Sequence, residues 1–472
     1  MIPMTLRQIA EVVGGTVHGP ADVTVTGPAF VDSRVTELGG LFAAFEGERV
    51  DGHAYAEQAV EGGAAAVLGT RELDVPMVLV TDTRDALARL AAHVVRELPD
   101  TKVVALTGSQ GKTSTKDLLA RLLSDAGRTV ATQGSFNNEL GLPLTVLRAD
   151  KTTEYLVLEM GARGVGHLRE LCRIARPDVS LVLNVGKAHI GEFGSQERIA
   201  LAKGEIVEAL APDGTAVLNA DDPLVAAMAT RTSGRVRTFG ESPGADVRLS
   251  ALDLDDLQRP TFDLTADGAT ARVRMRVLGE HQASNAAGAA AVALALGLPL
   301  DRVARLLSEA TPASRWRMEL HERPDGVVVI NDAYNANPGS MSAALKTLAA
   351  IGRNRGPDCR TIAVLGEMRE LGEASREEHD AVGRLAVRLD IGRLLVVGEP
   401  ARPIHLGASL EGSWNEESVF VPDNDAALAW LRRELRPGDV VLFKASRAAE
   451  LEQVANAVLA DVPSADATET GR

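Results

Sequence analysis

Short apolar runs alternate with helical stretches along most of the chain from residue 102 onward. Each run is rich in β-forming residues and ends in Gly, Asn, Asp or Lys. Runs of this kind between helices are typical of parallel sheets in α/β domains. They predict strands over Val103–Leu106, Tyr155–Leu158, Val179–Leu183, Val327–Ile330, Ile362–Leu365, Leu394–Val397 and Val440–Phe443. Ligands in such folds bind beyond the carboxyl ends of the strands, so the loops that follow are expected to carry the chemistry.

Two breaks in this pattern predict three domains. The first lies near Leu98-Pro99-Asp100, and the second lies near Thr311-Pro312-Ala313, after a helix predicted over Asp301–Glu309. The last residues are small and polar and predict a disordered tail. The expected units are a smaller N-terminal α/β domain over 1–98, a central α/β domain over 99–312, a C-terminal α/β domain over 313–462 and a tail over 463–472.

Composition and charge narrow the class of protein. A chain of 472 residues exceeds the size at which one hydrophobic core keeps growing. A formal net charge of −15 and an aromatic content of 3% argue against nucleic acid and anionic membrane as partners. Cys172 and Cys359 cannot form a disulfide framework, and Arg7 and Glu11 interrupt the apolar pattern that a signal peptide needs. We therefore expect a cytoplasmic protein.

A glycine-rich loop between a predicted strand and a predicted helix carries the clearest chemical signal. The strand Val103–Leu106 precedes it, and a helical stretch over Lys116–Leu123 follows. Glycines let backbone N–H groups face a phosphate, a helix N-terminus favours anions, and a Lys-Thr pair supplies a positive charge and a hydroxyl for Mg²⁺. The spacing Gly-x-x-Gly-Lys-Thr is shorter than the full Gly-x4-Gly-Lys-Ser/Thr pattern, but its setting indicates nucleotide binding. The loop consists of Gly108, Ser109, Gln110, Gly111, Lys112, Thr113 and Ser114.

Two strand ends offer candidate metal ligands. Glu159 directly follows Tyr155–Leu158, a strand expected beside the strand that leads to the loop. A carboxylate at this place suits Mg²⁺, but the pattern equally allows a solvated glutamate. His189 follows the strand Val179–Leu183 in a loop, where a lone histidine is more often structural than a ligand.

Lys203 occupies the apolar face of a helix predicted over Gln196–Leu210. It lies four residues after Ile199 and three before Ile206, which places the three side chains together. One interpretation is that the ammonium extends past the apolar surface to water. The other is that the amine points into a site, where a lowered pKa would leave it neutral and open to covalent modification. Spacing alone favours the first interpretation.

Taken in order, the chain's motifs resemble those of the Mur ligase family. Within that family the resemblance is to the branch that joins D-alanyl-D-alanine to UDP-N-acetylmuramoyl-tripeptide. It implies a central P-loop ATPase-like parallel sheet with helices on both faces, a C-terminal Rossmann-like α/β domain and a smaller N-terminal domain. The matching segments are residues 136–143, 159–162, 184–195, 203–206, 279–285, 317–319, 331–338, 365–372 and 444–447.

The resemblance implies a phosphate contact and two metal sites. Lys112 is expected to contact the phosphates of ATP, and Thr113 and Glu159 to hold one Mg²⁺. His189 is expected to help hold a second Mg²⁺, and Lys203 to be a carbamylated lysine that completes this second site. A carbamate ends in oxygens, which removes the cost of placing a cation beside two divalent metals.

The resemblance also implies contacts with the nucleotide. Asn285 is expected near adenine, Arg317 at the γ-phosphate as a catalytic residue, and Asp332 at the ribose or at the hinge to the third domain. The chain departs from the family at a few positions. Trp316 stands where glycine commonly precedes the arginine, and Ala445 stands where Lys-Gly-Ser-Arg is usual.

Substrate contacts follow from the same resemblance. Residues 32–34 and 47–53 resemble a UDP-binding segment, which separates the chain from folylpolyglutamate synthetases. Residues 334–338 separate it from the ligase that adds the third amino acid. The residues expected to bind substrate are Ser33, Arg34, Asn137, Asn138, Asn335 and Asn337.

The implied reaction is phosphorylation of a carboxylate by ATP, followed by attack of an amine on the acyl phosphate. We expect a monomer that uses ATP and two Mg²⁺ ions. One alternative is a sibling ligase that adds a different amino acid. Another is a regulatory module that keeps the nucleotide loop but has lost ligation, for which a damaged metal set would be the signature. Here Thr113, Glu159, His189 and Lys203 are all present.

Overall fold

A computed structural model describes residues 1–47, 50–186, 193–412 and 417–461. His189 and the tail predicted over 463–472 lie outside the described residues. Within them the strands form a two-stranded ribbon and three larger sheets of five, nine and six strands, which follow one another along the chain. Helices pack on these sheets, so the structure is α/β throughout.

The N-terminal sheet is mainly parallel and has the order β2-β7-β6-β5-β4, while β1 and β3 form the ribbon. Its helix α3 is capped by Asp82, whose carboxylate accepts hydrogen bonds from the N–H groups of Arg84 and Asp85. This helix packs against α1 and also against α5 and α6 of the next segment. The elements are β1 (Met4–Thr5), α1 (Leu6–Val13), β2 (Thr16–His18), β3 (Thr24–Val25), β4 (Ala29–Phe30), β5 (Leu41–Ala43), α2 (Ala56–Glu61), β6 (Ala66–Gly69), β7 (Met77–Leu79) and α3 (Thr83–Arg96).

The nine-stranded sheet has the order β16-β15-β14-β13-β12-β11-β8-β10-β9 and is parallel from β9 to β14. Because β8 pairs with both β10 and β11, the strand order reverses beside it, which is where α/β sheets bind ligands. The strands and first helices are β8 (Lys102–Thr107), α4 (Lys112–Ser124), β9 (Thr129–Ala131), α5 (Gly141–Val146), β10 (Tyr155–Glu159), α6 (His167–Ile174) and β11 (Val179–Val182). The remaining elements are α7 (Gln196–Lys203), α8 (Glu205–Glu208), β12 (Thr215–Asn219), α9 (Pro223–Ala226), β13 (Arg235–Gly240), β14 (Val247–Leu254), β15 (Pro260–Ala266), β16 (Ala269–Arg274), α10 (His281–Ala295) and α11 (Leu300–Glu309).

The C-terminal sheet has the order β17-β18-β22-β19-β20-β21, with β17 as an antiparallel edge. Separate apolar clusters on its two faces show that helices cover both sides. The elements are β17 (Glu319–Glu322), β18 (Val328–Asn331), α12 (Pro338–Arg355), β19 (Thr361–Leu365), α13 (Ser375–Arg388), β20 (Arg393–Val397), α14 (Arg402–Glu411), β21 (Ser418–Val421), α15 (Asn424–Glu434), β22 (Val440–Lys444) and α16 (Leu451–Ala460).

The helix predicted over Gln196–Leu210 is wrong in one respect, because it is two helices, α7 and α8, that meet at Gly204. The guanidinium of Arg231 donates hydrogen bonds to the carbonyls of Ala200 and Leu201. A Cβ at Gly204 would lie 1.8 Å from Arg231 Nη1, so the break depends on a distant residue. The domain boundaries near residues 98 and 312 stay predictions. Among the described helices, none is long and apolar enough to cross a membrane.

The close packing of α13 on α14 leads to a first prediction. A Cβ at Gly383 would lie 1.9 Å from the carbonyl oxygen of Ile404. We expect Gly383→Ala to lower the free energy of unfolding by about 1–3 kcal/mol, as in overpacked cores. Helix propensity alone would raise the free energy of unfolding by about 1 kcal/mol. The sign of the measured change therefore distinguishes overpacking from helix propensity.

Chemical denaturation measures this change. The matched control is Gly244→Ala, where a new Cβ would have no described atom within 4 Å. We expect the control to change the free energy by no more than about 0.5 kcal/mol. A Gly383→Ala variant as stable as wild type would show that α13 and α14 can move apart enough to accept the added Cβ without cost.

Candidate active site

The glycine-rich loop lies between β8 and α4, at the reversal point of the nine-stranded sheet. Asn184, which follows β11, holds the loop in place. Its Oδ1 accepts hydrogen bonds from the N–H groups of Ser109 and Gln110, both at 3.0 Å. Its Nδ2 donates to the carbonyl of Gln110 at 3.2 Å. The neighbouring strand therefore shapes the loop, a role that the sequence analysis did not assign to Asn184.

Gly111 brings the loop against helix α10. Its φ of +80° lies in the left-handed region, and a Cβ there would lie 2.3 Å from Asn285 Oδ1. Asn285 is itself fixed, because its Nδ2 donates to Gln282 Oε1 at 3.0 Å. The residue expected near adenine thus touches the loop expected to hold the phosphates.

Lys112 is partly buried at the start of α4. Its ammonium donates to the carbonyl of Gly108 at 2.7 Å. Burial lowers the pKa of Lys112, the carboxylate of Glu159 opposes this shift, and the positive charge of Arg317 adds to it. A phosphate bound in the loop would place a negative charge beside this ammonium and would favour its charged form.

Glu159 is 1% exposed at the carboxyl end of β10, which excludes a solvated strand-end glutamate. Its Oε1 accepts a hydrogen bond from Asn137 Nδ2 at 2.7 Å. Its Oε2 is buried and has no hydrogen-bond partner among the described residues. A buried carboxylate oxygen without a partner is costly, and a divalent cation would satisfy it. Together with the Thr113 hydroxyl, this oxygen is a donor set that fits Mg²⁺.

Two cavities meet at the loop. The first has a volume of about 300 Å³ and is lined by residues from both sides of the molecule, including Lys112, Glu159 and Asn335. The second has a volume of about 280 Å³ and includes Asn285 in its lining. Gly111 and Arg317 line both. The volumes and linings suit a nucleotide whose phosphates lie in the first cavity and whose base lies in the second.

Known families match the chain along most of its length. The Mur ligase family model described as the catalytic domain matches residues 30–103, the Mur ligase middle domain matches 106–293, and the Mur ligase glutamate ligase domain matches 316–447. The chain belongs to the Mur ligase family.

Relatives within the Mur ligase family cover nearly the whole chain. UDP-N-acetylmuramoyl-tripeptide–D-alanyl-D-alanine ligase of Mycobacterium tuberculosis is 49% identical, over 98% of this chain and 98% of its own. The ligase of the same name from Bacillus subtilis is 36% identical, over 96% of this chain and 98% of its own.

Solved Mur ligase structures share the fold. A crystal structure of MurF from Acinetobacter baumannii has a TM-score of 0.85 and 32% identity, and covers 97% of this chain and 98% of its own. A crystal structure of MurF ligase from Thermotoga maritima in complex with ADP has a TM-score of 0.77 and 30% identity, over 93% of this chain and 98% of its own. These likenesses confirm the predicted three-domain α/β fold class.

Most residues expected in the site lie around the two cavities. Asp332 and Asn285 line the second cavity. Lys203 is buried at the end of α7 and is not among the described residues that line either cavity. His189 lies outside the described residues. The first cavity is lined by Ser109, Gln110, Gly111, Lys112, Thr113, Ser114, Asn137, Asn138, Glu159, Arg317, Asn335 and Asn337.

Ser33 and Arg34 line neither cavity. The guanidinium of Arg34 is fully exposed and donates to both carboxylate oxygens of Asp32, at 2.8 and 2.7 Å. This contact lowers the pKa of Asp32 to about 2. The hydroxyl of Ser33 donates to Gln58 at 3.4 Å. Ser33 and Arg34 therefore belong to a set of polar surface residues in the N-terminal part, which lies apart from the two cavities.

Asp332 has a structural partner that the sequence analysis did not identify. Lys444 is buried and donates to Asp332 Oδ2 at 2.6 Å and to the carbonyl of Asn335 at 2.9 Å. The other oxygen of Asp332 accepts from the N–H of Met318 at 3.2 Å. The pair therefore ties β18, β22 and the loop after β18 together in the lining of the second cavity. Its signal in the sequence was a lysine at the carboxyl end of an apolar strand.

The contact of Gly111 with Asn285 leads to a second prediction. A side chain at this φ costs roughly 1–2 kcal/mol, and here it would also displace Asn285. We expect Gly111→Ala to weaken ADP binding by about tenfold or more, since 1.4 kcal/mol corresponds to a factor of ten.

Titration calorimetry with ADP measures this loss. Gly268→Ala is the matched control, because Gly268 has a φ of +79° but no described atom within 4 Å of a new Cβ. It carries the same backbone strain without the clash and should leave ADP affinity unchanged. Wild-type affinity in Gly111→Ala would contradict the assignment of this loop.

Proposed function

We propose that this Mur ligase uses ATP to join D-alanyl-D-alanine to UDP-N-acetylmuramoyl-tripeptide, giving the pentapeptide precursor of peptidoglycan. The observation that carries the proposal is the unpartnered Glu159 oxygen in a cavity shared with Lys112 and Arg317. Such a set suits phosphoryl transfer, which depends on metal and fixed positive charge. The choice of substrates rests on the names of the relatives that span the whole chain.

The first step is attack of the tripeptide carboxylate on the γ-phosphorus of ATP. Lys112 and Arg317 would stabilise the charge that develops on the transferred phosphoryl group. Thr113 and Glu159 would hold Mg²⁺, which supplies charge neutralisation at the β- and γ-phosphates when bound. Asn137 orients the Glu159 carboxylate through its hydrogen bond and leaves Oε2 free for that role.

The second step is attack of the dipeptide amine on the carbonyl of the acyl phosphate, with release of phosphate. Asn335 and Asn337 line the C-terminal side of the first cavity and are our candidates for binding the dipeptide. Asn138 lines the central side, where the acceptor must lie. Residues of the central and C-terminal parts line the cavity, and exclusion of water from it would protect the acyl phosphate. Ser33 and Arg34 would bind the UDP end.

Lys203 is our candidate for a carbamylated ligand of a second Mg²⁺, with His189 as its partner. Burial and the nearby positive charge of Lys112 hold the pKa of Lys203 well below its ordinary value. A neutral amine can add to CO₂, forming a C–N bond and releasing a proton, and the resulting carbamate is an oxygen ligand. The proposed modification replaces a disfavoured buried cation by an anion beside the metals.

A third prediction tests the reaction as a whole. We expect release of phosphate from ATP to require UDP-N-acetylmuramoyl-tripeptide and D-alanyl-D-alanine together. A phosphate-release assay with each substrate omitted in turn measures this requirement, and substrates ending in lysine or diaminopimelate test the third residue. Equal turnover with ATP alone would contradict the ligase, and activity with a different incoming amine would indicate a sibling reaction.

A fourth prediction concerns Lys203. We expect Lys203→Ala to abolish acyl-phosphate formation, and acetate or formate to restore part of it by supplying oxygen ligands. Lys203→Arg should also fail, because a guanidinium keeps a positive charge beside the metals. Wild-type protein exchanged with isotope-labelled bicarbonate should show a carbamate signal by NMR that is absent in Lys203→Ala. An active Lys203→Met variant would contradict the carbamate.

A further inference from the structure

A series of stacked side chains leads from the C-terminal sheet to the phosphate-binding loop. The guanidinium of Arg447 lies 4.6 Å from the centre of the Trp316 ring. The rings of Trp316 and Tyr334 stack with centroids 6.4 Å apart and an interplanar angle of 28°. The guanidinium of Arg317 lies 4.4 Å from the centre of the Tyr334 ring, and its Nη2 donates to Thr113 Oγ1 at 3.4 Å. The aromatic pair thus lies between two arginines.

Both ends of this series are anchored. Arg447 pairs with the buried carboxylate of Glu452 on α16. The hydroxyls of Tyr334 and Ser135 form a hydrogen bond of 2.5 Å, which joins the loop after β18 to the loop after β9. The aromatic pair therefore rests on the C-terminal sheet and also reaches across the first cavity to the central side.

The backbone of Trp316 favours a different residue. Its φ is +59°, in the left-handed region where a bulky side chain is disfavoured and glycine is not. The side-chain contacts that accompany this strain are the stack with Tyr334 and the cation–π contact with Arg447.

We propose that Trp316 and Tyr334 are positioning residues that aim the Arg317 guanidinium at the γ-phosphate. The inference rests on the proposed function. Arg317 has a long side chain, and its buried Nε makes no hydrogen bond with the described residues. A planar guanidinium stacked on a ring keeps its plane, so the Tyr334 ring fixes the direction in which the N–H groups of Arg317 point. Trp316 in turn fixes the Tyr334 ring.

The test uses three replacements of Trp316 in the full chain. Trp316→Gly removes the ring and relieves the backbone strain, Trp316→Leu removes the ring and keeps the strain, and Trp316→Phe keeps an aromatic ring. We expect kcat to fall by about ten- to a hundredfold in the Gly and Leu variants, because small misplacements of a catalytic group have effects of this size. The Phe variant should regain most of the activity.

A purely structural role for Trp316 predicts a different order. In that case Trp316→Gly should change kcat only as far as it changes the amount of folded protein. Thermal unfolding of each variant separates a loss of folded protein from a loss of kcat. A fully active Trp316→Gly variant, or one whose loss in kcat follows its loss of stability, would overturn the proposal.

A double-mutant cycle tests whether Trp316 acts through Arg317. In an Arg317→Gln background there is no guanidinium to aim, so Trp316→Gly should cause little further loss of kcat. An equal fold-loss in both backgrounds would overturn the proposal. Tyr334→Phe is a separate probe, because it keeps the ring and removes the hydroxyl contact with Ser135. It should preserve most of kcat if the ring is what positions Arg317.

Nucleotide binding provides a readout that does not depend on ligation. We expect Trp316→Gly to lower the affinity for a non-hydrolysable ATP analogue by about tenfold relative to the affinity for ADP. Only the analogue presents a γ-phosphate to Arg317. If the wild-type chain fails to ligate but this preference still falls, the ligase function is wrong and the positioning role stands. If ligation is normal and the preference is unchanged in Trp316→Gly, the positioning role is wrong.

Discussion

Two lysine amines set the electrostatics of the site. Lys203 is buried and Lys112 is partly buried, and the positive charge of Lys112 contributes to the low pKa of Lys203. Like charges in a poorly solvated place are unfavourable unless anions offset them. Other features of the site supply or bind negative charge. The loop presents N–H groups suited to phosphate, and Glu159 carries one oxygen that is unpartnered among the described residues. In our proposal, Lys203 itself becomes an anion. An anionic phosphate bound at the loop would therefore offset the positive charge of these lysines.

The scaffold holds the polar groups of the site in place with hydrogen bonds from elsewhere in the chain. Asn184 ties the loop to β11, Asn137 directs one oxygen of Glu159, and the Asp332–Lys444 pair braces the opposite wall. Each contact joins residues distant in sequence. Groups held in this way need little reorganisation when the nucleotide binds, which is the condition under which electrostatic stabilisation is most effective.

The strands β8, β10, β11, β18, β19, β20 and β22 could be predicted from the sequence because they are continuous apolar runs, whereas β12, which is also buried and parallel, was missed. The strands β14 to β16 could not, since β15 alternates buried with partly exposed residues and its polar positions interrupt any apolar run. The nucleotide loop was evident from glycine spacing. The burial of Glu159 could not be predicted, because it depends on neighbouring strands. The break at Gly204 could not be predicted either, because it depends on Arg231. Local pattern thus predicted the elements, and long-range contacts determined the details of the site.

Helix α3 has a consequence for how the chain folds during synthesis. Its apolar face includes Leu87 and Leu90 and packs partly on α5 and α6, and α6 ends about 80 residues later in the chain. At a translation rate of ~5–20 residues per second, this face stays uncovered for roughly 4–16 s until α5 and α6 have been synthesised. During that interval the nascent N-terminal part carries an uncovered apolar surface of the kind that chaperones bind. The N-terminal part therefore completes its packing only after part of the central sheet has been made.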